Sequence, residues 1–132
     1  MLQYMLDTDT CIYAGKSHPP NLLERFNLAT GLISISTITL AELYFGVEKS
    51  TRRAENLETL ERLVGRLDVL PFSSEAASDY GALRLDLQRS GKLVGPHDML
   101  IAAHARSEGL ILVTNNIREF RRIPGLRVEN WV

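Results

Sequence analysis

Three acids interrupt apolar stretches of this chain, Asp7, Glu42 and Asp98, and the amide of Asn116 ends a fourth such stretch. Each has an ordinary explanation. Asp7 or Asp9 could cap a following helix, since an acid in the first turn is favourable with the helix dipole. Glu42 stands three residues after Thr39, the spacing of a capping box, although Ile38 already looks helical. Asp98 follows Pro96 at a helix head, a favoured electrostatic position whatever the function. Brought together, the three acids would do more. Two carboxylates about 4 Å apart repel by about 4 kcal/mol at an effective dielectric of about 20, so a cluster of three needs a cation. Oxygen donors with no matching His or Cys set point to Mg²⁺ or Mn²⁺ rather than zinc. Mg²⁺ keeps several waters and takes one or two carboxylates plus substrate phosphate oxygens, which suits phosphodiester hydrolysis by an activated water.

Whether the acids meet depends on the elements that carry them. Leu2 to Leu6 reads as a first strand that stops at Asp7-Thr8-Asp9, followed by a helical turn over Asp9 to Ala14. Pro19-Pro20 breaks that turn, and an amphipathic helix runs from Asn21 to Ala29. Leu32 to Ser36 is a second strand, and a helical pattern starts at Thr37 and carries Glu42. A regular helix is expected over Ala54 to Leu67, a third strand over Asp68 to Phe72, and a long helix from Ser73/Ser74 to Ser90. Gly95-Pro96 opens a helix reaching Glu108, and Leu110 to Val113 is a buried central strand ending at Thr114-Asn115-Asn116. A short basic helix over Ile117 to Arg122 and an edge strand over Leu126 to Val128 complete the chain. Alternating strands and helices argue a three-layer α/β/α sandwich around a mostly parallel sheet of about five strands. In that architecture a helix that follows or precedes a parallel strand has its head at the carboxyl edge of the sheet. Asp7, Glu42, Asp98 and Asn116 are therefore expected to converge there, where ligands of such sheets gather.

The chain has 132 residues, a length that buries roughly two thirds of its unfolded surface as one domain, here residues 1–132. It is 45% hydrophobic and 23% charged with net charge -1, values that point to no particular partner. A near-neutral total does not argue against nucleic acid, because an acidic metal site can offset an arginine-rich rim. Cys11 is the only cysteine, so no internal disulfide forms, which fits a reducing cytoplasm, and it reads as a bland buried thiol. No signal-peptide pattern and no apolar run of about 18 residues occurs, so neither export nor a membrane span is expected.

The order and spacing of Asp7-Thr8, Thr39-Leu40-Ala41-Glu42-Leu43, Gly95-Pro96-His97-Asp98, Ile101-Ala102-Ala103-His104-Ala105 and Val113-Thr114-Asn115-Asn116 with Arg118-Glu119-Phe120 resemble PIN-domain ribonucleases. More closely, the chain is similar to VapC, the toxin family of VapBC toxin-antitoxin modules. The resemblance covers essentially the whole length. It implies a PIN-like fold and a Mg²⁺-dependent endoribonuclease with Asp7, Glu42 and Asp98 as its acidic site, Asp7 and Asp98 holding the metal. It also implies a homodimer, neutralisation by a VapB antitoxin in a larger hetero-oligomer, inhibition of translation, and a tRNA substrate, the anticodon stem-loop of initiator tRNA being preferred. Two departures stand out. Asn116 occupies the place of a fourth acid, for which Glu119 one turn on could substitute; Asp9 stands where Asn or Ser is usual.

The hydroxyls of Thr8 and Thr114 sit where a phosphate or a neighbouring carboxylate could be bonded, or where a turn would satisfy them. His97 reads as an exposed ring, His104 as a packed one and His18 as loop. Arg118, Arg121 and Arg122 could contact phosphate or form a solvated helix face. Tyr13, Tyr44, Tyr80 and Phe120 could stack on bases or belong to the core. Two other functions compete. Asp7-Thr8-Asp9 is similar to the start of haloacid-dehalogenase-type phosphatases, with Asp7 as nucleophile, although Cys11 breaks that pattern and no later acidic pair follows. A non-catalytic receiver-like module would use Asp7 and Asp9 for Mg²⁺ and Thr114 as relay, but the lysine it needs near the last strand is missing.

Overall fold

A computed structural model describes residues 1–16 and 18–132. Its five strands are β1 (Tyr4–Leu6), β2 (Ile33–Ser36), β3 (Asp68–Leu70), β4 (Ile111–Val113) and β5 (Val128–Glu129). Between them run α1 (Thr8–Gly15), α2 (Pro20–Leu28), α3 (Thr37–Glu48), α4 (Arg53–Val64), α5 (Ser74–Arg89), α6 (Pro96–Ser107) and α7 (Ile117–Phe120). The strand order is β3-β2-β1-β4-β5, and every neighbouring pair is parallel. The centre of the sheet is β1, with β4 beside it, so the expected central strand is displaced by one place. The chain builds outward from β1 to β3, then crosses back to add β4 and β5. That reversal leaves a crevice between the carboxyl ends of β1 and β4.

The pleat distributes the core. Successive strand side chains face opposite sides. Met5 and Leu112 therefore pack under α5, α6 and α7 with Leu83, Leu87, Ile101 and Phe120. Leu6 and Val113, each one residue on, pack under α1 to α4 with Leu22, Phe26, Leu60 and Trp131. Both faces are covered, which gives the expected three layers and explains why these strands read as apolar runs rather than alternations.

Several ends differ from the sequence expectation for identifiable reasons. The helix α1 begins at Thr8 because Asp7 is its cap, the Asp7 Oδ1 accepting from Thr10 N at 2.9 Å. The cap of α3 is Ser36, whose hydroxyl accepts from Ile38 N at 3.0 Å, so the Thr39-Glu42 capping box does not form. The helix α4 stops at Val64 rather than Leu67: Gly65 ends it, and Leu67 keeps the apolar period only because it packs on the same core from the turn. Likewise Leu126 packs beneath α7 ahead of β5 without belonging to the strand. Pro20 and Pro96 stand in the first turns of α2 and α6, where a missing N–H costs nothing. Gly109, at φ +69°, turns the end of α6 into the approach to β4.

Ser36 has a second partner. The His104 Nδ1 of α6 lies 2.8 Å from its hydroxyl. His104 is fully buried, as expected of a packed ring, and its Nε2 has no hydrogen-bond partner; nor has the buried Thr39 Oγ1. Burial pushes the His104 pKa down and favours the neutral ring.

Candidate active site

The crevice between β1 and β4 opens beside Asp7. Although this side chain is almost completely buried, only Oδ1 is committed to capping α1, and the buried Thr114 at the end of β4 is close enough to influence its carboxyl. The backbone fixes that approach, Asp7 N donating to Val113 O at 3.0 Å. The ordinary explanation, a helix cap, is thus true and itself places the acid. Burial is the main influence raising the Asp7 pKa, against the lowering effect of its hydrogen bonds.

Glu42 reaches the same edge from α3. Its Oε1 accepts from Thr8 Oγ1 at 2.7 Å, so Thr8 bonds a neighbouring carboxylate, one of the two roles open to it. Its Oε2 lies 2.9 Å from His97 Nδ1. His97 is exposed as expected, but it is not idle: it holds the second oxygen of a site acid, a contact across the two layers that no local pattern announces.

Asp98 lies half-buried in the first turn of α6. Its pKa is pushed up to about 6, first by burial and then by the negative charges of Glu119, Asp7, Glu42 and Asp9. Contacts join the same segments: Thr8, next to Asp7, and His97, next to Asp98, both bond Glu42, and Glu119 accepts from Gly95 N, three residues ahead of Asp98. Among the charges acting on Asp98, Glu119 contributes most. Its Oε2 accepts from Asn116 Nδ2 at 2.7 Å and its Oε1 from Gly95 N at 3.3 Å. Asn116, whose own N–H donates to Thr114 Oγ1 at 2.9 Å, therefore spends its amide on holding Glu119. Asp9 is exposed at the rim.

Among the described residues no three His, Cys, Asp or Glu side chains close tightly enough to form a metal cage. None of the ion pairs found involves Asp7, Asp98 or Glu119 with a lysine or arginine. An all-oxygen cluster with unrelieved repulsion and no cage fits a hard divalent cation that takes one or two carboxylates and keeps water elsewhere. Zinc, which favours three or four close N or S ligands, fits poorly. Two cavities lie elsewhere, one of about 260 Å³ between α1, α3 and α4 and one of about 320 Å³ between α1 and α4, and no acid lines either.

This geometry finds its counterpart among known proteins. The family model described as "PIN domain" matches residues 4–126. The chain belongs to the PIN-domain family. Within that family it is similar to VapC proteins: it is 51% identical to the tRNA(fMet)-specific endonuclease VapC of Salmonella typhimurium, over 99% of each chain. It is 49% identical over the full length of both chains to ribonuclease VapC2 of Haemophilus influenzae. The fold superposes on the DNA-bound VapBC structure of Salmonella typhimurium with a TM-score of 0.96 at 51% identity, covering both chains completely. Membership of the PIN-domain family sets aside the phosphatase and receiver-like readings.

The His97 contact makes a separable prediction. Replacing His97 with Phe frees one oxygen of Glu42 and is expected to lower kcat for RNA cleavage about tenfold, the scale of losing one supporting hydrogen bond. Replacement with Asn, which keeps a donor near Nδ1, should restore most of it. Steady-state kinetics on the two variants checks this; equal loss in both would show that the ring acts otherwise.

Proposed function

We propose that this protein is the toxin half of a type II toxin-antitoxin pair, a Mg²⁺-dependent endoribonuclease that cuts tRNA, its preferred target being the anticodon stem-loop of initiator tRNA. The observation that carries the reading is the set of contacts at the β1/β4 crevice, where Glu42 is held by Thr8, next to Asp7, and by His97, next to Asp98, while Glu119 bonds Gly95 at the head of the helix that carries Asp98. The relative named tRNA(fMet)-specific endonuclease supports the substrate.

Asp7 and Asp98 would hold the cation, with Mn²⁺ as a substitute for Mg²⁺. When bound, that cation supplies an acidified water and offsets charge on the phosphate. The chain does the rest. Glu42, fixed by Thr8 and His97, would take the proton of the attacking water, and the departing ribose oxygen would take its proton from solvent. Asn116 keeps Glu119 aimed at the cluster as the fourth acid, Thr114 steadies Asp7, and Asp9 adds negative charge at the rim. Residues 1–132 act as one nuclease domain. The protein works as a homodimer in the cytoplasm, inhibits translation by destroying tRNA, and is neutralised within a larger complex by a VapB antitoxin. The VapBC assemblies of Salmonella typhimurium and Rickettsia felis support that partnership. No described helix is long and apolar enough to cross a membrane.

The test is to incubate the purified, antitoxin-free protein with total RNA and Mg²⁺. One dominant cleaved tRNA is expected. Intact RNA under those conditions would overturn the reading.

A further inference from the structure

The chain neutralises its cations unevenly. Arg25, Arg52, Arg53, Arg62 and Arg106 each form an ion pair with an acid. Arg118 and Arg121, exposed on and just beyond α7, form neither an ion pair nor a side-chain hydrogen bond among the described residues. Their neighbour Arg122 spends one nitrogen on the carbonyl of Leu93, at 3.4 Å, and Lys92 beside Leu93 is exposed without an ion pair.

These four cations occupy the two segments that also build the acidic cluster. The Arg122 contact ties the end of α7 to the loop between α5 and α6, and Gly95 N of that loop donates to Glu119 Oε1. A Cβ on Gly95 would lie 3.7 Å from Asp98 Oδ2, so the loop passes directly beside the site acid. On α7 Phe120 enters the core and Glu119 is held by Asn116, while Arg118 and Arg121, three apart, share an outward face. Unpaired positive charge thus stands immediately outside a negative cluster without being consumed by it. A peptide of either charge would satisfy only one half of that arrangement. A polyanion carrying a chelated cation satisfies both, with one phosphate at the metal and its neighbours on the arginines.

We infer that the RNA backbone crosses the site over α7 and the α5–α6 loop, with Arg118 and Arg121 binding the phosphates that flank the scissile one. The inference deepens the ribonuclease reading and rests on it. Arg122 and Lys92 extend the same track away from Asp98.

The experiment compares wild type with a double variant, Arg118→Gln with Arg121→Gln, using unfractionated tRNA as probe. KM is expected to rise about tenfold with kcat held within about twofold. The slope of log binding constant against log salt should fall by about 1.4, two phosphate contacts at roughly 0.7 each on single strands. A charge-matched control, Arg53→Gln with Arg62→Gln on α4, should change neither, and the Mg²⁺-induced shift in Tm should be the same in all three proteins. An unchanged KM and slope in the α7 variant, or an equal change in the control, would overturn the inference while leaving the ribonuclease intact. So would a variant that binds tRNA normally but loses an acidic protein partner. Wild type that neither cuts nor binds tRNA would instead bring down the underlying reading.

Discussion

Asn in place of Asp98 is expected to slow RNA cleavage by about 10³-fold or more in kcat/KM, a loss of about 4 kcal/mol of transition-state stabilisation. The same change is expected to stabilise the metal-free protein at neutral pH. The two effects share a cause. The folded pKa of Asp98 is raised from 3.8 to about 6 by burial and by the surrounding acids, so the ionised carboxyl is costly in the native state. For a raised carboxyl the native state holds its proton more tightly than the unfolded chain does. Its stability penalty is therefore absent below about pH 4, grows as pH rises from 4 to 6, and is complete above that. Because the group is half exposed, solvent screening leaves about a third of the nominal shift, about 1 kcal/mol, or about 3 °C in Tm for a chain of this size. Thermal unfolding in chelator at pH 7.5 and at pH 4.5 checks the sign: the variant should unfold at higher temperature than wild type at the first pH and by a clearly smaller margin at the second. A less stable variant at pH 7.5 would mean that the clustered charge is relieved by something other than a metal. The companion change Asp7→Asn should abolish cleavage equally and leave α1 folded, since Asn caps as well as Asp.

Mg²⁺ is expected to reverse that penalty in wild type. A cation bound only by the folded protein contributes about 2.7 kcal/mol at a hundredfold excess over its Kd, enough to raise Tm by about 8 °C. The gain should be large at pH 7.5, shrink as the pH falls through 6 and protons compete for Asp98, and nearly vanish in the Asp98→Asn variant. Excess chelator should stop cleavage and return Tm to the metal-free value. A gain that is independent of pH, or that survives in the variant, would place the cation elsewhere.

Much of this was legible before any coordinates. An apolar run that halts at Asp7 announces a strand end, and helix-head geometry alone places Glu42 and Asp98 beside it, because parallel sheets put those heads at one edge. The interior of each element followed from periodicity, whereas ends did not. Leu67 continues the apolar pattern of α4 beyond its end and Leu126 that of β5 ahead of its start, since a core accepts side chains from turns as well. The cap of α3 was obscured by competition: Ser34, Ser36, Thr37 and Thr39 all offer hydroxyls within six residues, and only the path of the backbone selects Ser36. The bond between His97 and Glu42 had no local signal beyond the adjacency of His97 to Asp98. The duty of Asn116 was half visible, for its place near the site followed from β4, but its use as a holder of Glu119 needed the geometry of α7.

The buried meeting of His104 with Ser36 carries a consequence for how such a site can diverge. That single hydroxyl fastens the root of the helix bearing Glu42 to the helix bearing Asp98, deep beneath the surface on which the substrate rests. Drift in either helix is transmitted to the other, so loops and rim can be rewritten for new RNAs while the interval between the two acids stays governed from below.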